Sequence, residues 1–142
     1  MKLKELMTRE VAVVKPSDTL QTAAQKMRQR DIGFLPVCEN DRLVGVISDR
    51  DLSIRATADG LDPKTATVDQ LKTPGVVWCY EDQSVEEAAR LMKEKQIRRL
   101  AVLDRNDKRL VGVVALGDIA TNGTAQVSGE ILEKVSEPPG QT

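Results

Sequence analysis

The stretch LVGVISDRDL, Leu43 to Leu52, returns as LVGVVALGDI, Leu110 to Ile119, with its glycine, apolar residues and an aspartate in matching places. Upstream, TLQTAAQKMRQRDIGFLPV from Thr19 matches SVEEAARLMKEKQIRRLAV from Ser84 at a constant spacing of 65 positions. Two extra residues in the later hairpin, LDRNDKRL against CENDRL, raise the spacing to 67 and align Gly45 with Gly112 and Asp51 with Asp118. A unit of about 50 residues is too small to cover its own apolar face well, so two copies in one chain are expected to pack upon one another. The repeat therefore points to two small domains in these 142 residues.

Each copy reads as strand, helix, strand, strand, helix. Leu20, Ala23, Ala24 and Met27 make a helical stripe, as do Val85, Ala88, Ala89 and Met92. Ser84 with Glu87 is a capping box, and Thr19 holds the equivalent start. The extended pieces AVVKP and GVVWCY precede these helices; GFLPV and RRLAV follow them. A turn rich in Asn and Asp then leads to RLVGVIS or RLVGVVA, nearly continuous apolar runs that read as buried on both faces. A short helix closes each copy, DRDLSIRATADG or LGDIATNG, the first ending before Gly60. The boundaries read as 7–59 for the first domain, 60–73 for a linker with one helical turn at Thr67 to Leu71, and 74–122 for the second domain. In the tail, 123–142, AQVSGEILEKVS has the spacing for one short helix with Val127, Ile131 and Val135 on one face, interrupted by Gly129.

Composition removes several classes of function. Twenty-one basic against 22 acidic residues give a net charge of −1, so the field of the whole molecule attracts neither nucleic acid nor anionic membrane. No signal-like or membrane-length apolar run is present, which reads as a cytoplasmic protein. Histidine is absent, removing the usual general base and the commonest transition-metal ligand, and Cys38 and Cys79 are too few for a metal motif. They read as two reduced thiols, with a single disulfide as the alternative. Ser48 has no histidine to activate it and no glycine-rich phosphate loop occurs, so the chain is expected not to be an enzyme.

Taken in order, MTREVAVVKPSDTLQTAAQKM, IGFLPV and LVGVISDRDL, followed by TPGVVWCYEDQSVEEAARLM, IRRLAV and LVGVVALGDI, resemble a tandem pair of cystathionine-β-synthase-type (CBS) domains, the Bateman module, over roughly residues 7 to 122. The inserted GLDPKTATVDQL is similar to that of stand-alone bacterial members of the family with two such domains. The resemblance implies an α+β fold with the repeats related by a pseudo-twofold axis, assembly into a homodimer, and clefts between repeats that in many members hold an adenine nucleotide such as AMP, ADP, ATP or NAD, or S-adenosylmethionine. It implies phosphate and ribose contacts from the pattern that falls on Gly45, Ser48 and Asp51, and on Gly112, Ala115 and Asp118.

The chemistry agrees, because a carboxylate accepts from both ribose hydroxyls and a hydroxyl suits a phosphate. Ser48 with Asp51 is equally a capping box that needs no ligand. Ala115 can neither cap nor donate, so the two sites are expected to differ. By the same resemblance Arg98 and Arg99 reach phosphate, although neighbours on a strand point to opposite faces and one of them is expected to face away. Arg50 and Arg55 are further phosphate candidates or an exposed charged helix face. The adenine slot implied by the resemblance is lined by Val14, Lys15, Pro16, Ile32 and Pro36 in the first copy and Cys79, Tyr80, Ile97 and Ala101 in the second. The expected function is a non-catalytic regulatory module binding an adenine nucleotide; the alternative is a structural or protein-interaction module with empty clefts.

Overall fold

The computed structural model describes residues 1–74 and 76–122; the tail helix expected over Val127, Ile131 and Val135 lies outside them. The described residues divide into two compact units, 12–76 and 1–11 together with 77–122. Both mix helices and strands, an α+β architecture.

In the unit 12–76, α1 (Leu20–Arg30) begins where the Thr19 side chain accepts from the Thr22 N–H and ends at Asp31 in the left-handed region. Antiparallel strands β1 (Phe34–Glu39) and β2 (Arg42–Ser48) come next. They are joined by a two-residue turn whose Asn40 and Asp41 both have positive φ, the geometry that matches strand twist. A π-helical turn over Asp51–Arg55 runs into α2 (Ala56–Ala58), and α3 (Val68–Leu71) carries a complete capping box from Thr67 and Gln70. The core gathers Val14, Leu20, Ala23, Met27, Leu35, Val37 and Ile47 with Ala66, Val68 and Leu71. Ala24, placed on the buried stripe from the sequence, is exposed.

The other unit orders its sheet β3-β4-β5, from β3 (Trp78–Tyr80) parallel to β4 (Arg99–Leu103) and β5 (Leu110–Ala115) antiparallel to it. Helix α4 (Val85–Lys95) is capped by Ser84, and α5 (Leu116–Asn122) packs against it. Leu116 and Ile119 of α5 are buried, and so is Ala89, the counterpart of Ala24. The first copy has exposed Asp49 and half-buried Leu52 in place of Leu116 and Ile119, which explains why Ala24 stays uncovered.

The opening strand of the first copy shrinks to an isolated bridge between Val14 and Val37. Its second-copy counterpart extends because the Glu81 N–H donates to the Leu103 carbonyl at 2.9 Å; Pro16 stands at the matching position and has no N–H to give. Burial of β2 and β5 is also one-sided: Gly45, Ile47, Gly112 and Val114 are buried, whereas Val44, Val46, Val111 and Val113 are half-buried.

The opening segments of the two repeats are exchanged between the units. Val68 and Asp69 donate their N–H groups to the carbonyls of Asp18 and Pro16, and 65 positions earlier Leu3 and Lys4 donate to Gln83 and Glu81. Thr73 pairs with Val46 on β2, as Thr8 pairs with Val113 on β5. The stretch 60–73, read from sequence as a linker, is thus core to the unit 12–76, while residues 1–11 complete the second copy's core through Leu3 and Met7. The crossings account for the repeated glycine of LVGV. A Cβ on Gly45 would lie 3.0 Å from the Thr73 carbonyl oxygen, and one on Gly112 would lie 2.9 Å from that of Thr8.

Candidate functional site

In the first repeat the carboxylate named from the sequence is already engaged. The Ser48 N–H donates to Asp51 Oδ2 at 2.8 Å while the Asp51 N–H donates to Ser48 Oγ at 3.1 Å, a reciprocal cap. Arg55 Nη1 donates to Asp51 Oδ1 at 3.1 Å and to the Leu71 carbonyl at 3.1 Å. Arg55, a phosphate candidate by its place in the sequence, instead closes Asp51 and ties the π-helical turn to the end of α3. Arg50 is exposed at the start of that turn, its N–H on Asp49 Oδ1.

The second repeat keeps half of this arrangement. The Ala115 N–H donates to Asp118 Oδ2 at 2.8 Å, as the Ser48 N–H does to Asp51, and the hydroxyl is missing. Beside it a cavity of about 350 Å³ is lined by Arg98, Arg99, Ala115, Leu116, Gly117 and Ala120. Both arginines line it, contrary to the alternation argument, because Arg98 precedes β4 and is not bound by the strand's two-residue period. Both are exposed, and among the described residues neither guanidinium has a carboxylate partner. A planar fork of donors of this kind suits a phosphate oxygen pair.

The residues expected to line an adenine slot are not gathered into these cavities as a group. Val14 is a core side chain whose backbone joins β1, and Pro36 is buried within that strand. Ile32 and Ile97 are half-buried and pack against their units' cores; Cys79 and Ala101 are buried. Lys15 and Pro16 line a separate cavity of about 400 Å³ with Val13, Ser17 and Cys38 to Asp41. Tyr80 has company already, with the Trp78 ring edge-on at 4.8 Å and Arg105 at 4.2 Å over its face. Arg105 in turn grips Asp82 through bonds of 2.7 and 2.8 Å, which hold that carboxyl below its usual range.

The cysteines are free and buried, and burial, aided by Asp41 or Glu87 respectively, pushes each thiol up to about 11. Sequence reading missed the relation between Gly33 and Asp49. A Cβ on Gly33 would lie 2.7 Å from Asp49 Oδ2, so that carboxylate fills the space from which Arg98 springs in the second repeat. Aligning Asp49 with Leu116 as well as Gly33 with Arg98 was the available signal.

A strand-helix-strand-strand-helix unit, repeated with its opening segments exchanged, defines a class of tandem α+β modules. The CBS domain model matches residues 3–55 and 68–123, and the chain belongs to the CBS domain family. It is 42% identical over 135 residues to the CBS domain-containing protein YhcV of Bacillus subtilis, covering 94% of each chain. Against Hypoxic response protein 1 of Mycobacterium tuberculosis the identity is 37% over 136 residues, covering 95% of this chain and 94% of that one. The crystal structure of Hypoxic Response Protein I with two coordinated zinc ions matches with a TM-score of 0.79 at 40% identity, covering 86% of this chain and 98% of that one. That of CBSX2 in complex with AMP matches with a TM-score of 0.72 at 30% identity, covering 84% and 93%. A zinc site of three or more such ligands does not fit here: the chain has no histidine, and among the described residues no three Cys, Asp or Glu side chains come together to hold a metal ion. Nor is any helix of the described residues long and apolar enough to cross a membrane.

Proposed function

We propose that this CBS pair is a non-catalytic regulatory protein that binds an adenine nucleotide, AMP, ADP, ATP or NAD, with a phosphate held by Arg98 and Arg99. The observation that carries this reading is the cavity in which two guanidinium groups without carboxylate partners among the described residues stand beside Ala115 and Leu116. The AMP complex of CBSX2 supports adenosine as the remainder of the ligand. Asp118 is the carboxylate nearest in sequence to that cavity's lining, and ribose is its natural partner chemistry. At Asp51 a ribose would first have to displace Arg55. The protein works as a homodimer in the cytoplasm, where two buried reduced thiols are at home.

Titration calorimetry with AMP, ADP, ATP, NAD, S-adenosylmethionine and adenosine tests the reading. Arg99→Ala should weaken AMP about tenfold, roughly the loss of one charge-assisted bond of about 1.4 kcal/mol or more, and leave adenosine nearly unchanged. If none of the panel binds, the protein is instead an interaction module with empty sites.

A further inference from the structure

The positions that line the second-repeat cavity have counterparts in the first repeat that differ at each place bearing on charge. The cavity's six described lining residues correspond to Gly33, Phe34, Ser48, Asp49, Arg50 and Ser53. The backbone frame is the same, since the Asp49 N–H donates to the Gly33 carbonyl at 2.9 Å just as the Leu116 N–H donates to that of Arg98 at 2.7 Å. Among its described lining residues the second repeat offers two cations and no carboxylate, Asp118 lying beside them on the Ala115 N–H. The first offers one cation, Arg50, and one anion, Asp49, whose carboxylate is fixed at the helix start by the Arg50 N–H at 2.8 Å. Asp49 also occupies the volume a side chain at position 33 would need, so glycine there and aspartate at 49 form one steric pair. A phosphate entering here would meet a carboxylate where its counterpart finds a guanidinium, and like charges at close range oppose binding.

We infer that phosphate-bearing ligands bind the second repeat alone, and that Asp49 is the specificity residue that excludes them from the first. This rests on the adenine-nucleotide reading for the identity of the ligand, though not for the role of Asp49. The module then takes one phosphorylated ligand per chain, and the hydroxyl of Ser48 serves its helix start.

AMP binding to the full chain is measured by calorimetry, and inorganic phosphate binding by phosphorus NMR line broadening, on the parent, Gly33→Arg, the pair Gly33→Arg with Asp49→Leu, and Arg99→Phe. The parent should bind one AMP per chain, and Arg99→Phe, at an exposed position, should lose it about tenfold or more. The double variant should gain a second equivalent of AMP and of phosphate, while Gly33→Arg alone should not, since Asp49 neutralises and crowds the new arginine. Two AMP per parent chain, or no added phosphate binding by a folded double variant, overturns the inference. A parent that ignores AMP removes the nucleotide reading only, because the gain of phosphate binding by the double variant over Gly33→Arg still decides the role of Asp49. If circular dichroism finds the double variant unfolded, Asp49→Ser with Gly33 retained takes its place, and unchanged phosphate binding by it counts against the inference.

Discussion

The two repeats share a backbone and differ in what they can hold. Three sets of hydrogen bonds in that frame have twins: the exchanged segment on the helix approach, the Thr bridge on the last strand, and the N–H of the strand's final residue on an aspartate; the Glu81 bond to Leu103 has none. Side chains depart from one another at positions whose main-chain bonds are kept. Ser48 becomes Ala115, Gly33 with Asp49 becomes Arg98 with Leu116, and Pro16 becomes Glu81. Main-chain pairing cannot be relaxed without leaving buried donors unpaired, whereas side chains at the site face no such penalty. The second copy was thus free to acquire cations while the first kept a capped helix start.

Breaking the exchange should have the largest effect. Leu3 and Leu71 are buried to 0% and 1% exposure in different units, and each reaches its core from the opening segment of the other repeat. Leu3→Ala and Leu71→Ala should each cost about 2–5 kcal/mol. Native-state amide exchange locates the damage: Leu3→Ala should first release β4 and β5, and Leu71→Ala should release β1 and β2. Loss of protection in β1 and β2 on replacing Leu3 would contradict the exchange.

A smaller cost separates the two crossing points. Adding a methyl group at Gly45 or Gly112 overpacks a site where a backbone carbonyl already lies within 3.0 Å of the new atom, for about 1–3 kcal/mol each. Gly112→Ala should be the worse of the two. Its Cβ also meets Met7 Sδ at 2.7 Å, and Met7 is buried, whereas at Gly45 the second neighbour is the flexible Lys72 side chain at 2.9 Å. Urea titration of the two variants gives the ranking, and equal midpoints would show that Met7 moves aside freely.

These differences explain which features were legible in the sequence. Helix starts at Thr19 and Ser84, the hairpins and the family were readable because caps, turns and apolar periods are local signals. The exchange was not, although its marks were present: Leu3 and Val68 align with the same spacing as the rest of the repeat, and the family match begins at 3 and at 68. Reading along the chain groups a segment with its downstream neighbours, and only packing reveals that residues 60–73 belong with the elements upstream of them. At the site, Arg98 and Arg99 were visible as residue types, but their shared cavity depends on where β4 begins, a boundary no residue announces. The tie between Arg55 and Asp51 is an i,i+4 pair that a helix over this stretch already offers, whereas the π-helical form of the turn had no local signal.

The thiols test whether the units are equivalent beyond their sites. Cys38 and Cys79 sit in different units and each is raised by burial to about 11 from the ordinary 9.0. Unfolded thiols lose their protons between those values while folded ones keep theirs, so stability should be intact below pH 9 and fall as pH rises toward 11. Cys38→Ala and Cys79→Ala should each remove about half of that slope. A slope carried by one cysteine alone would mean that the other unit opens to water in the folded state.

The finest difference between the repeats is one oxygen atom, and restoring it sharpens the comparison. Ala115→Ser gives the second repeat the acceptor that Ser48 supplies to the Asp51 N–H in the first. With the Asp118 carboxylate already on the residue 115 N–H, the reciprocal cap would be complete and should add about 0.5–1 kcal/mol, while Ser48→Ala should cost about as much. Because position 115 also lines the cavity of Arg98 and Arg99, the new hydroxyl can accept from the helix and donate to a phosphate at once. AMP should then bind a few-fold more tightly and adenosine no better. Thermal denaturation and calorimetry separate the two effects. A rise in stability without a rise in AMP affinity would assign the hydroxyl to the cap alone, in both repeats, and leave phosphate recognition to the arginines.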